Sequence, residues 1–148
     1  LYWDDDGELP TQPLIELAWS MQKNVFLPRL DDKNLMDFVA FNDTDELTSG
    51  VFGLQVPAAN QQAIDPQALD LIIAPLVAFD SNGHRLGRGG GYYDRFLHQK
   101  DLANDNNQHK KPYFLGLAYS FQQVDNLPSA EWDIPLDAVI TEQQFLQF

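Results

Sequence analysis

Apolar positions along this chain follow two rhythms, one of helical period and one of strand period, separated by stretches with neither. Thr11 is placed to cap a helix running to about residue 22, with Pro13 in its first turn and Leu14, Ile15, Ala18 and Trp19 on one face. The run over 24–28 reads as a short buried strand. A second strand is predicted over 36–41, where Met36, Phe38 and Ala40 alternate with Asp37, Val39 and Phe41. Residues 42–69, with Gly50, Gly53, Pro57 and Pro66 among scattered polar positions, read as a long connection of little regular structure. Leu71-Ile72-Ile73-Ala74 before Pro75 is a buried strand by composition. After it come a turn and glycine loop over 80–91, a helix over 92–100, a solvated loop over 101–111, and strands over 113–119 and 138–141. Strands separated by helices predict an α/β domain with a mostly parallel sheet.

Composition narrows the function classes. The chain has 148 residues, the size of one domain, and 44% hydrophobic residues, enough for a real core. Acidic side chains number 22 against 9 basic ones, a net charge of −13 that repels nucleic acid and anionic membrane alike. There is no cysteine, which excludes disulfides, thiolate chemistry and Cys-based zinc sites. Apolar runs fall far short of the ~20 residues of a membrane span, and nothing reads as a secretory signal, so a cytoplasmic location is expected. Leu1-Tyr2-Trp3 before the acidic turn of Asp4, Asp5, Asp6 and Gly7 reads as the tail of a strand, and further residues are expected upstream of it.

One segment carries chemistry: Gly83-His84-Arg85-Leu86-Gly87-Arg88-Gly89-Gly90-Gly91-Tyr92-Tyr93-Asp94-Arg95. Its glycines permit dihedrals that aim successive N–H groups into one concavity, and a helix beginning near Tyr92 adds its own unpaired N–H groups and dipole. Three of the chain's four arginines, Arg85, Arg88 and Arg95, fall within this stretch. A charge-assisted hydrogen bond contributes ~1.5–3 kcal/mol and a helix end ~0.3–1, so several together reach the ~8 kcal/mol of micromolar triphosphate binding. The spacing matches neither the dinucleotide fingerprint nor a P-loop. A purely structural loop at a strand-to-helix crossing is the alternative. Asp94 would repel a phosphate unless a cation such as Mg²⁺ intervened; the other reading is a first-turn helix aspartate.

These residues resemble the 5-formyltetrahydrofolate cyclo-ligase family, also called methenyltetrahydrofolate synthetase. The resemblance takes in Asp70-Leu71-Ile72-Ile73-Ala74-Pro75, Ala78-Phe79-Asp80 and the glycine segment. It extends to Gly7-Glu8, Thr11, Val25-Phe26-Leu27-Pro28 and Trp132-Asp133-Ile134-Pro135-Leu136-Asp137. It implies one domain over 1–148, an α/β three-layer, Rossmann-like, mostly parallel sheet similar to the ribose-phosphate isomerase and CoA-transferase group. It further implies ATP-dependent closure of 5-formyltetrahydrofolate to 5,10-methenyltetrahydrofolate with release of ADP and phosphate. The formyl oxygen, a poor leaving group, would take the γ-phosphoryl group; N10 would attack, and phosphate would depart.

By the same resemblance Arg85, Leu86, Gly87, Arg88, Gly89, Gly90, Gly91, Tyr92 and Tyr93 would line the ATP phosphates. Arg88 and Tyr92 would be the catalytic pair, with Arg88 facing the transferring group. Trp3, Glu8, Arg88 and Tyr92 would contact the folate, and Asp94 and Asp133 would hold Mg²⁺. Taken singly, Trp3 reads equally as a core aromatic, Glu8 as a solvated turn residue and Asp133 as a turn or cap before Pro135. The family's N-terminal helical region, which adds basic side chains to the phosphates, has no counterpart in these 148 residues. Small-molecule substrates, no nucleic acid, no membrane and a monomer are the expected partner state. The rival readings are a catalytically inactive folate- or nucleotide-binding fragment or paralogue, and a sugar-phosphate-binding domain. His84, His98 and His109 lack metal-ligand spacing and read as solvated, while Trp19 and Trp132 read as core or lid packing.

Overall fold

The structure, a computed structural model, describes residues 1–5, 7–30, 33, 35–58, 62–65, 68–101 and 112–148. Asp6, His109 with the rest of the loop over 102–111, and the side chain of His98 lie outside this set.

The elements, in chain order, are α1 (Gln12–Ser20), β1 (Phe26–Leu30), β2 (Met36–Ala40), β3 (Leu47–Ser49), β4 (Gln55–Pro57), β5 (Leu71–Pro75), β6 (Ala78–Phe79), β7 (Arg85–Leu86), α2 (Tyr92–Asp101), β8 (Tyr113–Leu117), β9 (Ala138–Ile140) and β10 (Phe145–Gln147). The central sheet has the order β10-β9-β8-β5. β5 runs parallel to β8, with Ile72 opposite Phe114, and β8 runs parallel to β9, with Gly116 opposite Val139. β10 closes the edge antiparallel to β9. Three antiparallel ribbons accompany this sheet: β1–β2, β3–β4 and β6–β7. The fold is therefore mixed α/β; among the described residues parallel strand pairing joins β5, β8 and β9, with one isolated parallel bridge between Phe79 and Gln123.

Both faces of the parallel strands are buried, which is why their sequences are nearly continuous in apolar residues. Ile72, Ala74, Phe114 and Val139 point to one side, where Phe96 and Leu97 of α2 and Phe38 of β2 cover them. Ile73, Leu115 and Ala138 point to the other, against Tyr2 and Leu14 of α1. Gly116 lies on the α2 side, where a Cβ would come within 2.8 Å of both Leu136 and Leu76. A third cluster joins Ile15 to Val25, Leu27 and Phe41, with Trp3 and Trp19 packed on it.

Several expectations change at this level. The stretch 42–69, expected to have little regular structure, contains the short β3–β4 ribbon around a 3-10 turn at Val51–Gly53. Alternation there is only three residues long per strand, too short to register as a period. The ribbon β6–β7 and the edge strand β10 were also illegible, for the same reason. Thr11 does not cap α1 through its side chain. Its buried hydroxyl donates instead to Tyr2 O at 2.7 Å, and its amide donates to Asp4 Oδ1 at 2.9 Å, which ties the acidic turn to the helix start. No described helix is long and apolar enough to cross a membrane.

Candidate nucleotide and folate site

The carboxyl ends of β5 and β8 define where a ligand would sit in a sheet of this kind. From the end of β5 the chain turns through the β6–β7 ribbon into the glycine segment and then α2. Asp80 builds the ribbon's turn. Fully buried, it accepts hydrogen bonds from Asn82 N at 2.9 Å, His84 N at 3.1 Å, Leu127 N at 3.0 Å and His84 Nδ1 at 3.0 Å. Burial by itself would raise its pKa, but these donors prevail and hold it at about 2. His84, expected to be solvated, is thus tied to a carboxylate. Gly83 has φ of +81°, and a Cβ there would stand 2.8 Å from Leu136 O, so only glycine fits. The sequence signal for Asp80 was an acid before Ser81-Asn82-Gly83, the pattern of an Asx turn.

The glycine segment itself is open. Gly89 and Gly91 have φ of +88° and +60°. Among the described residues, the N–H groups of Gly89, Gly90 and Gly91 donate to no backbone or side-chain acceptor. They stand at the start of α2, whose first turn leaves further N–H groups unpaired. The Tyr92 ring lies over Gly90, where a Cβ would collide with it, and the Arg95 guanidinium stands 5.0 Å from the centre of that ring. An anion would find bare amides here rather than a closed turn.

Arg88 reaches out of the segment toward the N-terminal turn. Its guanidinium donates to Asp5 Oδ2 at 3.3 Å and Asp5 O at 3.1 Å, and lies 3.5 Å from Glu8 Oε1. Glu8 also accepts from Asp5 N at 3.1 Å. Burial pushes the Glu8 carboxyl above its usual range, while the Asp5 hydrogen bond and the Arg88 charge pull the other way. Arg88, expected on both the phosphates and the folate, and Glu8, expected on the folate, are 80 positions apart in sequence and are neighbours here.

Arg85 has a different surrounding. Its side chain is 7% exposed, and Nη2 donates to Asp94 Oδ1 at 2.7 Å. The guanidinium carbon lies 5.0 Å from the Phe114 ring centre and 5.8 Å from that of Tyr93. Tyr93 stacks on Phe114 with its phenol pushed up by burial, an effect that the Arg85 charge opposes. Of the two carboxylates expected to hold metal, Asp94 accepts on Oδ1 from Arg85 and from Ile134 N at 3.2 Å. Asp133, next to Ile134, accepts on Oδ2 from Ala130 N at 2.8 Å, closing a turn. Each keeps a second oxygen with no hydrogen bond to a described residue, which fits a cation completed by phosphate oxygens. No group of three or more metal-ligating side chains gathers among the described residues.

Trp3 packs edge-on to Phe41, ring centres 5.9 Å apart, within the cluster of Ile15, Val25 and Leu27. Trp19 also lies on Phe41 and donates to its carbonyl at 3.1 Å, in line with a packing role. Trp132 is 68% exposed and so is not a core residue.

A family model described as the 5-formyltetrahydrofolate cyclo-ligase family matches residues 1–142. The 5-formyltetrahydrofolate cyclo-ligase of Haemophilus influenzae is 42% identical over 139 residues, covering 92% of this chain and 71% of that protein. The Escherichia coli K12 protein of the same name is 44% identical over 140 residues, covering 92% and 72%. The solution structure of Aquifex aeolicus 5,10-methenyltetrahydrofolate synthetase superposes with a TM-score of 0.78 at 34% identity, covering 99% of this chain and 69% of that one. With sequence and backbone in agreement over nearly its whole length, this chain belongs to the 5-formyltetrahydrofolate cyclo-ligase family.

Proposed function

We propose that the chain catalyses ATP-dependent cyclisation of 5-formyltetrahydrofolate to 5,10-methenyltetrahydrofolate, releasing ADP and phosphate. The observation that carries the reading is the open row of amides at Gly89, Gly90 and Gly91, directly preceded by Arg88, which extends to Glu8. The amides and the α2 dipole bind the anionic tail of ATP. Arg88, between that tail and the folate carboxylate partner Glu8, stabilises charge on the phosphoryl group as it moves to the formyl oxygen. Glu8 accepts hydrogen bonds from the amide and amino donors of the pterin ring. Tyr92, held over Gly90, bounds the space between the two ligands. N10 then attacks the activated carbon and phosphate leaves, so catalysis consists of positioning and charge neutralisation.

Asp94 and Asp133 would hold Mg²⁺ through their uncommitted oxygens, and the ion would supply charge neutralisation at the phosphates. The finer fold assignment belongs to the same reading: residues 1–148 act as one domain of the three-layer, Rossmann-like kind found in ribose-phosphate isomerases and CoA-transferases. Parallel β5, β8 and β9 with both faces covered support it.

The test is direct. With 5-formyltetrahydrofolate, Mg²⁺ and ATP, methenyl-folate absorbance should rise, and should stay flat when ATP is omitted. A flat trace with all components present defeats the proposal.

A further inference from the structure

We infer that Arg95 is a further ligand for the phosphates of ATP, meeting them at the amide row of Gly89, Gly90 and Gly91 from the helix side. The inference rests on the ATP reading above and adds a side chain which that reading does not use. Arg95 is the fourth residue of α2, and side chains in an α-helix lean back toward its N-terminus. Its guanidinium therefore returns to the glycine segment: a Cβ placed on Gly91 would stand 3.0 Å from Arg95 Nη1. The same group lies over the Tyr92 ring, which in turn lies over Gly90.

By itself this is an unfavourable place for a cation. The start of a helix is the positive end of its dipole, and unpaired N–H groups add to that field. Among the described residues Arg95 forms no ion pair with a carboxylate. The positions one helical turn away, Gly91, Tyr92, His98 and Gln99, are not acidic either, in a chain with 22 acidic side chains. Arg95 is also exposed, so its charge is open to a ligand. A polyphosphate would offset guanidinium, amides and dipole together. Arg88, at the other end of the amide row, already faces Asp5 and Glu8. Arg95 brings a second cation to the opposite end.

The test titrates the full chain with ATP and with inorganic triphosphate, each with Mg²⁺, by calorimetry, and melts it without ligand. Parent, Arg95→Met and Arg95→Lys are compared. Arg95→Met should weaken both ligands roughly tenfold, the loss of one charge-assisted contact to phosphate. The loss should be the same for the two, since neither base nor ribose takes part. Without ligand, Arg95→Met should melt no lower than the parent, because a cation has left the positive end of the helix. A residue that merely holds Tyr92 in place would instead lower affinity and melting temperature together. Arg95→Lys keeps the charge and should stay within about threefold of the parent. The inference is overturned if Arg95→Met loses less than about threefold, if the loss is confined to ATP, or if affinity and melting temperature fall together. A parent that binds no ATP instead sinks the ATP reading itself.

Discussion

Arg88 Nη2 lies 3.5 Å from Glu8 Oε1, which places one of the three arginines of the glycine segment against the one carboxylate expected to read the folate. That distance brings together the two parts of the chain proposed to hold nucleotide and folate. It also makes their roles separable by kinetics.

Arg88→Ala should lower kcat by ~10²- to 10³-fold, the range seen when a donor to developing charge is removed. ATP affinity should fall less than about tenfold, because the amides remain. Pre-steady-state turnover with parallel ATP titration measures both. Equal losses would contradict its assignment to the transferring group.

Glu8→Gln should raise KM for the folate roughly tenfold, the loss of one charge-assisted hydrogen bond, and leave KM for ATP nearly unchanged. Stability should move the other way. The Glu8 pKa is raised on folding, so its contribution is greatest below the unperturbed 4.5 and is lost as pH rises through the folded value. The variant should therefore melt above the parent at neutral pH, with the gap closing in acid. A gap that widens in acid would show that ionised Glu8 stabilises the fold instead.

Gly89→Ala tests the loop's dihedral alone, since nothing lies within 4 Å of a Cβ there. A left-handed residue with a Cβ costs ~1–2 kcal/mol, so the variant should melt lower and bind ATP more weakly. Gly53, with φ of +78° and equally open space, is the control. Gly53→Ala should lower stability by a similar amount and leave ATP binding intact. Loss of ATP binding in both variants would show that the effect is general unfolding.

Asp80→Asn should destabilise the chain by ~1–3 kcal/mol, because an amide cannot accept from all four donors. With a folded pKa of about 2 against an unperturbed 3.8, ionised Asp80 stabilises the fold above about pH 4, and that contribution disappears as pH falls through about 2. Acid titrations of stability should therefore be flatter for the variant in this window. Parallel curves would remove Asp80 from the account.

Much of the site was readable in one dimension because glycines, arginines and a helix start are adjacent in sequence and need no folding to be recognised together. The Asx turn of Asp80 is a local pattern, but its bond to Leu127, 47 residues away, is one that no local pattern records. Short ribbons such as β3–β4 escaped because three residues cannot display a period. Thr11 was read as a cap from its position, but the nearness of Tyr2 O and Asp4 gave its hydroxyl better partners.

By itself the order of amino acids determined that this protein would have an α/β core and a loop rich in glycine and arginine in an acidic chain, since both follow from local composition and spacing. Only the tertiary structure decided which arginine faces what. Folding buried Arg85 against Asp94 and two rings, and left Arg88 exposed to meet Glu8. Their identical charges gave no means of telling them apart; the difference lies in solvation and neighbours, which exist only once the sheet has formed.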